Sequence, residues 1–164
     1  PMLFASAISH GQPLKLFNNG EHQRDFTYID DIVESLVRLL PQPPRPNQNW
    51  NHGNPDPSTS AAPWRLYNIG GNRPVHLRVY VDILARLLGR EAQLQLLPLQ
   101  PGDVINTCAD ASALADAIGF TPQTPLDEGL AHFVSWFRNY YLRPLGIPVA
   151  NEQACELVPQ GEIA

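Results

Sequence analysis

The sequence predicts an α/β fold, because short strand-like runs alternate along the chain with amphipathic helical segments. No internal repeat is present, so the alternation does not indicate a repeat array. The chain has 164 residues, of which 43% are hydrophobic and 16% are charged. That length and composition are sufficient to bury a core of ordinary domain size.

The first elements are a helix, a strand and a turn. Residues 2–10 have the pattern of a helix that ends at Gly11, since glycine commonly ends helices. A short strand is predicted at 14–17 from its alternating side chains. The turn Asn18-Asn19-Gly20 follows, because Asn and Gly tolerate a positive φ.

A second helix is predicted between a β-like run and a proline-rich segment. The run is at 26–29, and Asp30 is expected to cap a helix that continues to Pro41 with apolar residues at helical spacing. Residues 41–63 then contain seven prolines and no hydrophobic period. We expect a surface loop there, because such a composition buries too little apolar surface to offset its ordering entropy.

The second half of the chain continues the alternation of strands and helices. The predicted segments are strands at 64–69 and 93–97, and helices at 76–88, 110–118 and from 124 onward. Thr124 is expected to cap the last helix, with Pro125 at its first position. The pattern fades after 142, so residues 143–164 are predicted to form a tail.

Charge and composition exclude several classes of protein. Eleven Lys and Arg residues against sixteen Asp and Glu leave a net charge of -5, which argues against a nucleic-acid or anionic-membrane binder. No apolar run approaches the ~18 residues of a membrane span, and no signal peptide is recognised, so we expect a cytoplasmic protein. Because the chain begins at Pro1 with a helix already under way, we also expect a piece of a longer protein.

Cysteine and glycine patterns give no cofactor site. Cys108 and Cys155 are far apart without metal-ligand spacing, so we expect reduced thiols and no metal site. Gly70-Gly71 is only a weak turn signal, and no G-x-G-x-x-G fingerprint follows a strand.

Two charged groups are candidates for chemistry. The acidic pair Asp30-Asp31 at a helix start is explained by the helix dipole, which favours anions there by about 0.3 to 1 kcal/mol each. Arg24 is different, because a guanidinium beside a strand can bind a phosphate through two parallel hydrogen bonds. A local ion pair with Asp25 or Glu21 explains it equally well, so the residues alone leave both interpretations open.

Four stretches resemble motifs of extended short-chain dehydrogenase/reductase enzymes that act on nucleotide sugars. They are Gly-x-x-x-Arg-Asp-Phe-Thr-Tyr-Ile-Asp-Asp-Ile-Val at 20–33, Asn-Pro-Asp-Pro at 54–57 leading to Ala-Pro-Trp-Arg-Leu-Tyr-Asn-Ile-Gly at 62–70, Leu-Pro-Leu-Gln-Pro-Gly-Asp-Val at 97–104, and Gly-Phe-Thr-Pro at 119–122. Together they are most similar to UDP-glucuronate 4-epimerases, and the resemblance runs in register from about 3 to 141.

The resemblance implies a two-part enzyme. In that family an N-terminal Rossmann domain binds NAD, and a Tyr-x-x-x-Lys pair with a Ser or Thr removes the C4 hydroxyl proton while hydride passes to NAD. The 4-keto sugar turns over and the hydride returns to its other face, which inverts C4. We therefore expect residues 1–142 to be the C-terminal substrate-binding part of such an enzyme, with the N-terminal Rossmann domain missing.

The resemblance also assigns the substrate-binding residues. Leu16 and Phe17 match positions beside the uracil, Arg24 matches the diphosphate-binding arginine, and Asp103 matches an acid near the nucleotide. At Gln100 the broader family has an arginine, whereas glucuronate epimerases resemble this chain there.

The single lysine determines what the resemblance implies for catalysis. The residue four positions before Lys15 is Gly11 and not Tyr, so the Tyr-x-x-x-Lys pair is absent from this sequence. We therefore expect no catalytic residue, no bound NAD and no activity on this chain alone. UDP-sugar is the expected ligand, and an exposed edge at 67–70 predicts a homo-oligomer. The alternatives are an enzyme acting on another nucleotide sugar, namely a dehydratase, decarboxylase or epimerase, and a non-catalytic nucleotide-sugar-binding module.

Overall fold

The computed structural model describes residues 1–143, so Cys155 and the predicted tail beyond Arg143 lie outside the described residues. The described chain forms two compact units. The first contains Pro1–Gln23, Val75–Asn106 and residues 125–143, and the second contains Arg24–Pro74 and Thr107–Thr124. The assignment of residues 1–142 to one substrate-binding part stays a prediction.

Helices and short strands alternate along the described chain, as the sequence predicts. The elements are α1 at Met2–Ser9, β1 at Leu14–Leu16, β2 at Gln23–Asp25, α2 at Ile29–Leu39, β3 at Pro74–His76, α3 at Leu77–Leu88, β4 at Leu94–Leu96, α4 at Ser112–Ile118 and α5 at Leu126–Phe137. A 3-10 turn at Phe17–Gly20 follows β1, and a π-helical turn at Arg138–Leu142 follows α5. β1 pairs with β4 in parallel, and β2 pairs with β3.

The first unit is built around α3, which packs against α1 and α5. Its buried residues recur at helical spacing, as Tyr80, Val81, Leu84 and Leu88 show. Burial of one large apolar side chain contributes about 1.5 to 3 kcal/mol, so this face provides much of the stability of the unit. In β1 the side chains alternate, with Leu14 and Leu16 buried and the intervening lysine exposed.

The second unit contains α2 and α4, which pack against each other. Leu114 and Ile118 of α4 are buried. One carboxylate oxygen of Asp31, in the first turn of α2, accepts hydrogen bonds from the backbone N–H groups of Gln123 and Thr124, at 3.1 and 2.9 Å. The start of α2 is thus joined to the segment that follows α4.

One face of α2 is apolar and exposed to solvent. Its members are 49 to 61% exposed, namely Ile29, Val33, Leu36 and Val37, and Leu40 extends the face just after the helix at 80% exposure. With Pro43, Pro44 and Tyr67, most of this face lines an open groove of about 520 Å³.

Two of the predicted β segments are wrong. Residues 64–69 form no strand, and within the described chain only Arg65 makes an isolated bridge, to Thr59. Strand formation requires a neighbouring strand, and an alternating pattern in one segment does not show whether that neighbour exists. The expected edge at 67–70 is therefore absent. The β-like run predicted at 26–29 is also displaced. The observed strand is β2, which ends at Asp25, just before the predicted residues.

Both predicted helix caps are wrong by one or two residues. Tyr28 precedes the first residue of α2 in an extended conformation, which places Asp30 inside the first turn. A carboxylate remains favourable there because of the helix dipole. Pro125 takes the N-cap position of α5, while the backbone N–H of Thr124 binds Asp31.

Candidate functional site

The segment after β1 is held at the end of β4 by backbone hydrogen bonds. The carbonyl of Leu16 accepts from the N–H of Leu97 at 2.9 Å, and the carbonyl of Leu97 accepts from Asn19 at 2.9 Å. Between these bonds Phe17 begins the 3-10 turn and is half-buried, whereas the side chain of Leu16 is fully buried. Asn18 and Asn19 have φ values of 49° and 51°, which confirms the predicted turn.

A second turn in the same unit contains Gln100 and Asp103. The N–H of Asp103 donates to the carbonyl of Gln100 at 3.1 Å, and Gly102 between them has a φ of 82°. A carboxylate oxygen of Asp103 lies 3.0 Å from Nε2 of His22, whose side chain is buried. Four of the five sequence-predicted site residues therefore lie in the first unit: Leu16 at the end of β1, Phe17 in the 3-10 turn after it, and Gln100 and Asp103 in the second turn.

Arg24 is the fifth predicted residue, and it belongs to the second unit. It is the central residue of β2 and is half-buried. The two carboxylates considered as its local partners also have other contacts. Glu21 lies 3.6 Å from the guanidinium of Arg78, and Asp25 accepts several backbone N–H groups.

Asp25 joins three segments of the second unit, which sequence reasoning did not identify. Its Oδ2 accepts from the N–H groups of Asn72 and Ala109, at 3.1 and 3.2 Å, and its Oδ1 accepts from Arg73 at 3.3 Å. Gly70 lies against this carboxylate, since a Cβ there would be 2.8 Å from Oδ2 and 2.5 Å from the Cβ of Ala109. Backbone donors leave no side-chain pattern, so no sequence signal indicated this arrangement.

An open cavity of about 330 Å³ lies beside Asp25. Short polar side chains and glycine backbone line much of it, including Thr27, Asn68, Gly70 and Thr107. The thiol of Cys108 also lines it and donates a hydrogen bond to Oδ1 of Asn72 at 2.9 Å.

The glycine pair in this unit does not fit a dinucleotide. A pyrophosphate cradle needs a glycine-rich turn whose backbone is open to the ligand at the start of a helix. Gly70 is instead closed off by Ala109 and Asp25, and the next helix begins only at Leu77, after β3.

Residues 1–143 also contain no group of three or more His, Cys, Asp or Glu side chains placed to hold a metal ion. Within the same residues, no helix combines the length and apolar character of a transmembrane span.

Known proteins show similarity over most of the chain. The model of the NAD dependent epimerase/dehydratase family matches residues 2–53. The protein CapI of Staphylococcus aureus is 44% identical over 138 residues, which is 84% of this chain and 41% of that protein. A probable UDP-glucuronate 4-epimerase of Rhizobium meliloti is 40% identical over 144 residues, covering 85% of this chain and 41% of that protein. The chain is a relative of the NAD-dependent epimerases and dehydratases.

Solved structures confirm the α/β fold for this relative of the epimerase/dehydratase family. The crystal structure of the UDP-glucuronic acid 4-epimerase of Bacillus cereus, in complex with UDP-glucuronic acid and NAD, superimposes with a TM-score of 0.66 at 24% identity. The match covers 84% of this chain and 39% of that one. The fold is thus similar to part of an extended short-chain dehydrogenase/reductase epimerase. The chain spans about 41% of the length of three of the curated relatives that it matches, and about 30 to 36% of several others.

Proposed function

We propose that this chain supplies the UDP-binding side of an NAD-dependent UDP-sugar 4-epimerase that interconverts UDP-glucuronate and UDP-galacturonate. The observation that supports this most directly is the 40% identity over 144 residues to a probable UDP-glucuronate 4-epimerase. That similarity covers 85% of the chain, so it extends through both units.

The geometry of the first unit suits recognition of a uracil. Two backbone hydrogen bonds fix the chain from Leu16 to Asn19, so the backbone of Phe17 is held in one orientation beside the position proposed for the base, with Leu16 next to it. Phe17 is partly exposed, and its ring can stack on that base, which contributes about 1 to 3 kcal/mol. Gln100 and Asp103 supply an amide and a carboxylate for the sugar-phosphate part of the nucleotide.

Arg24 is proposed to bind the diphosphate. A charge-assisted hydrogen bond contributes about 1.5 to 3 kcal/mol, and a guanidinium can form two in parallel to phosphate oxygens. Because Gln100 is neutral where the broader family has an arginine, the proposed phosphate site depends more strongly on Arg24.

The oxidation and re-reduction of C4 are not assigned to residues of this chain. NAD, held by residues outside the chain, would supply the hydride acceptor and donor. The described residues offer no glycine turn that fits a pyrophosphate, and Lys15 has Gly11 where the catalytic pair requires Tyr. We expect the purified chain to show no NAD-dependent epimerisation of UDP-glucuronate, and measurable turnover would contradict this assignment.

Calorimetry with UDP, UDP-glucuronate and UDP-glucose tests the proposal. Binding of UDP and tighter binding of UDP-glucuronate than of UDP-glucose would support a glucuronate epimerase. Preference for UDP-glucose would indicate an enzyme acting on another nucleotide sugar, and a chain that binds none of the three would overturn the proposal.

Replacement of the proposed phosphate ligand gives a sharper test. Arg24→Ala should weaken UDP binding more than tenfold, since it removes charge-assisted hydrogen bonds of about 1.5 to 3 kcal/mol each. Arg45→Ala is the matched control, because this arginine is exposed in the proline-rich loop and should leave the dissociation constant unchanged. Equal dissociation constants for Arg24→Ala and the unsubstituted chain would remove Arg24 from the site.

The coding sequence upstream of this chain distinguishes the enzyme from the non-catalytic alternative. Gly-x-x-Gly-x-x-Gly and Tyr-x-x-x-Lys motifs there would favour the enzyme, and their absence would favour a nucleotide-sugar-binding module.

The cytoplasmic location and the homo-oligomer stay predictions. The exposed apolar face of α2 supports self-association, and a purely monomeric species in sedimentation would contradict it.

A further inference from the structure

His22 is the buried imidazole of the first unit, and nothing in the family resemblance assigns it a role. Only 3% of its surface is exposed, although it lies between the exposed Glu21 and the half-buried Gln23. A polar ring in such a position is costly to bury unless a polar partner compensates it. The partner is Asp103, whose Oδ2 is 3.0 Å from Nε2 of His22.

The position of His22 is fixed by its backbone surroundings. Its carbonyl accepts from the N–H of Leu77, the first residue of α3, at 2.8 Å. The next residue, Gln23, donates its N–H to the carbonyl of Ile105 at 3.0 Å. The imidazole is therefore attached to a rigid segment, and the more exposed carboxylate of Asp103 is the member of the pair that can adjust.

The tip of the turn that contains Asp103 is open to solvent. Gly102 has no atom within 4 Å of the place where a Cβ would be, and Pro101 is exposed. The side chain of Asp103 is 31% exposed, so one part of the carboxylate faces solvent while Oδ2 faces His22. An ionised carboxylate presents only lone pairs, so it interacts favourably with Nε2 when that nitrogen bears the proton. The two atoms do not form a regular hydrogen bond, so the contact is an electrostatic one at 3.0 Å.

We infer that His22 is a positioning residue, which orients the Asp103 carboxylate so that its exposed part meets the nucleotide of a bound UDP-sugar. This inference rests on the proposed function and deepens it by naming the group that acts behind the predicted ligand. His22 itself does not contact the nucleotide.

A double-mutant cycle in UDP binding tests this role. His22→Leu keeps most of the buried volume but removes the proton, and it should weaken UDP binding about tenfold, the size expected for directly coupled side chains. His22→Gln retains an N–H donor and should restore affinity to within about twofold. In an Asp103→Asn background, His22→Leu should cause no further loss, because the group that it orients has changed.

Two controls separate positioning from a structural role. His76→Gln changes an exposed histidine of the same unit, whose Nε2 meets the Gln23 side chain at 3.1 Å, and should leave UDP binding unchanged. His22→Asn has an amide too short to reach Asp103, and it provides the same test if the leucine variant does not fold. Thermal unfolding of every variant shows whether affinity merely follows stability.

The outcomes are distinguishable. An unsubstituted chain that does not bind UDP overturns the proposed function and this inference with it. UDP binding that is unaffected by His22→Leu or His22→Asn overturns only the inference. An equal loss from His22→Leu in the unsubstituted chain and in the Asp103→Asn background also overturns it, because the effect would then be independent of the carboxylate.

Discussion

Gly70→Ala should destabilise the chain through the contacts around Asp25. An added Cβ would lie 2.5 Å from the Cβ of Ala109 and 2.8 Å from Oδ2 of Asp25, well inside the ~3.5 to 4.0 Å optimum for carbon contacts. The neighbours can move only by lengthening the hydrogen bonds from Asn72, Arg73 and Ala109, which already measure 3.1 to 3.3 Å. Overpacking costs about 1 to 3 kcal/mol, and weakening a hydrogen bond to a charged group adds to it.

The expected loss is about 3 kcal/mol, which lowers Tm by about 6 to 12 °C for a chain of this size. Urea and thermal unfolding monitored by circular dichroism measure it. Gly53→Ala is the matched control in the same unit, because its nearest neighbour would be 3.4 Å away and its φ is not positive. If Gly70→Ala were as stable as Gly53→Ala, the close packing around Asp25 would not contribute to stability as described.

Two further predictions concern groups away from the proposed site. Burial raises the pKa of Tyr80 from 10.0 to about 12, so the folded state favours the neutral phenol. The contribution of this group to the free energy of unfolding should be complete below pH 10 and should fall as the pH rises toward 12. Absorbance titration should show one tyrosine ionising after the others, and Tyr80→Phe should remove that late phase; a late phase that survives contradicts the assignment. Asp31→Ala should cost about 1 to 3 kcal/mol in urea unfolding, since it leaves the N–H groups of Gln123 and Thr124 without their acceptor. Asp30→Ala, one residue earlier in the same helical turn, is the control, and an equal loss in both variants would refute the reasoning.

Local patterns predicted the elements that local interactions determine. The helix expected at 76–88 is present at Leu77–Leu88, and Gly89 follows it with a φ of 68°. The strand expected at 93–97 is present at Leu94–Leu96. For the helix, apolar spacing and flanking residues within a few positions contain the information, whereas the strand also depends on its pairing with β1.

The strand predicted at 64–69 fails because strand formation is not local. Trp64 and Leu66 alternate as strand residues do, yet both are about half exposed and an isolated bridge is all that the described chain forms nearby. The proposed site could be predicted only in part from the sequence, for the same reason. The residues alone left Arg24 undecided, and the contact between His22 and Asp103 joins segments that no periodicity relates.

The hydrogen bonds of Asp25 also have a kinetic consequence. Its acceptor oxygens bind N–H groups that are 47, 48 and 84 residues away in the chain. Such bonds can form only after long loops have closed, and contacts of this kind slow folding. We therefore expect them to form late on the folding pathway. Lengthening the proline-rich segment should slow that step only slightly, because doubling a flexible loop adds about 0.6 kcal/mol to its closure.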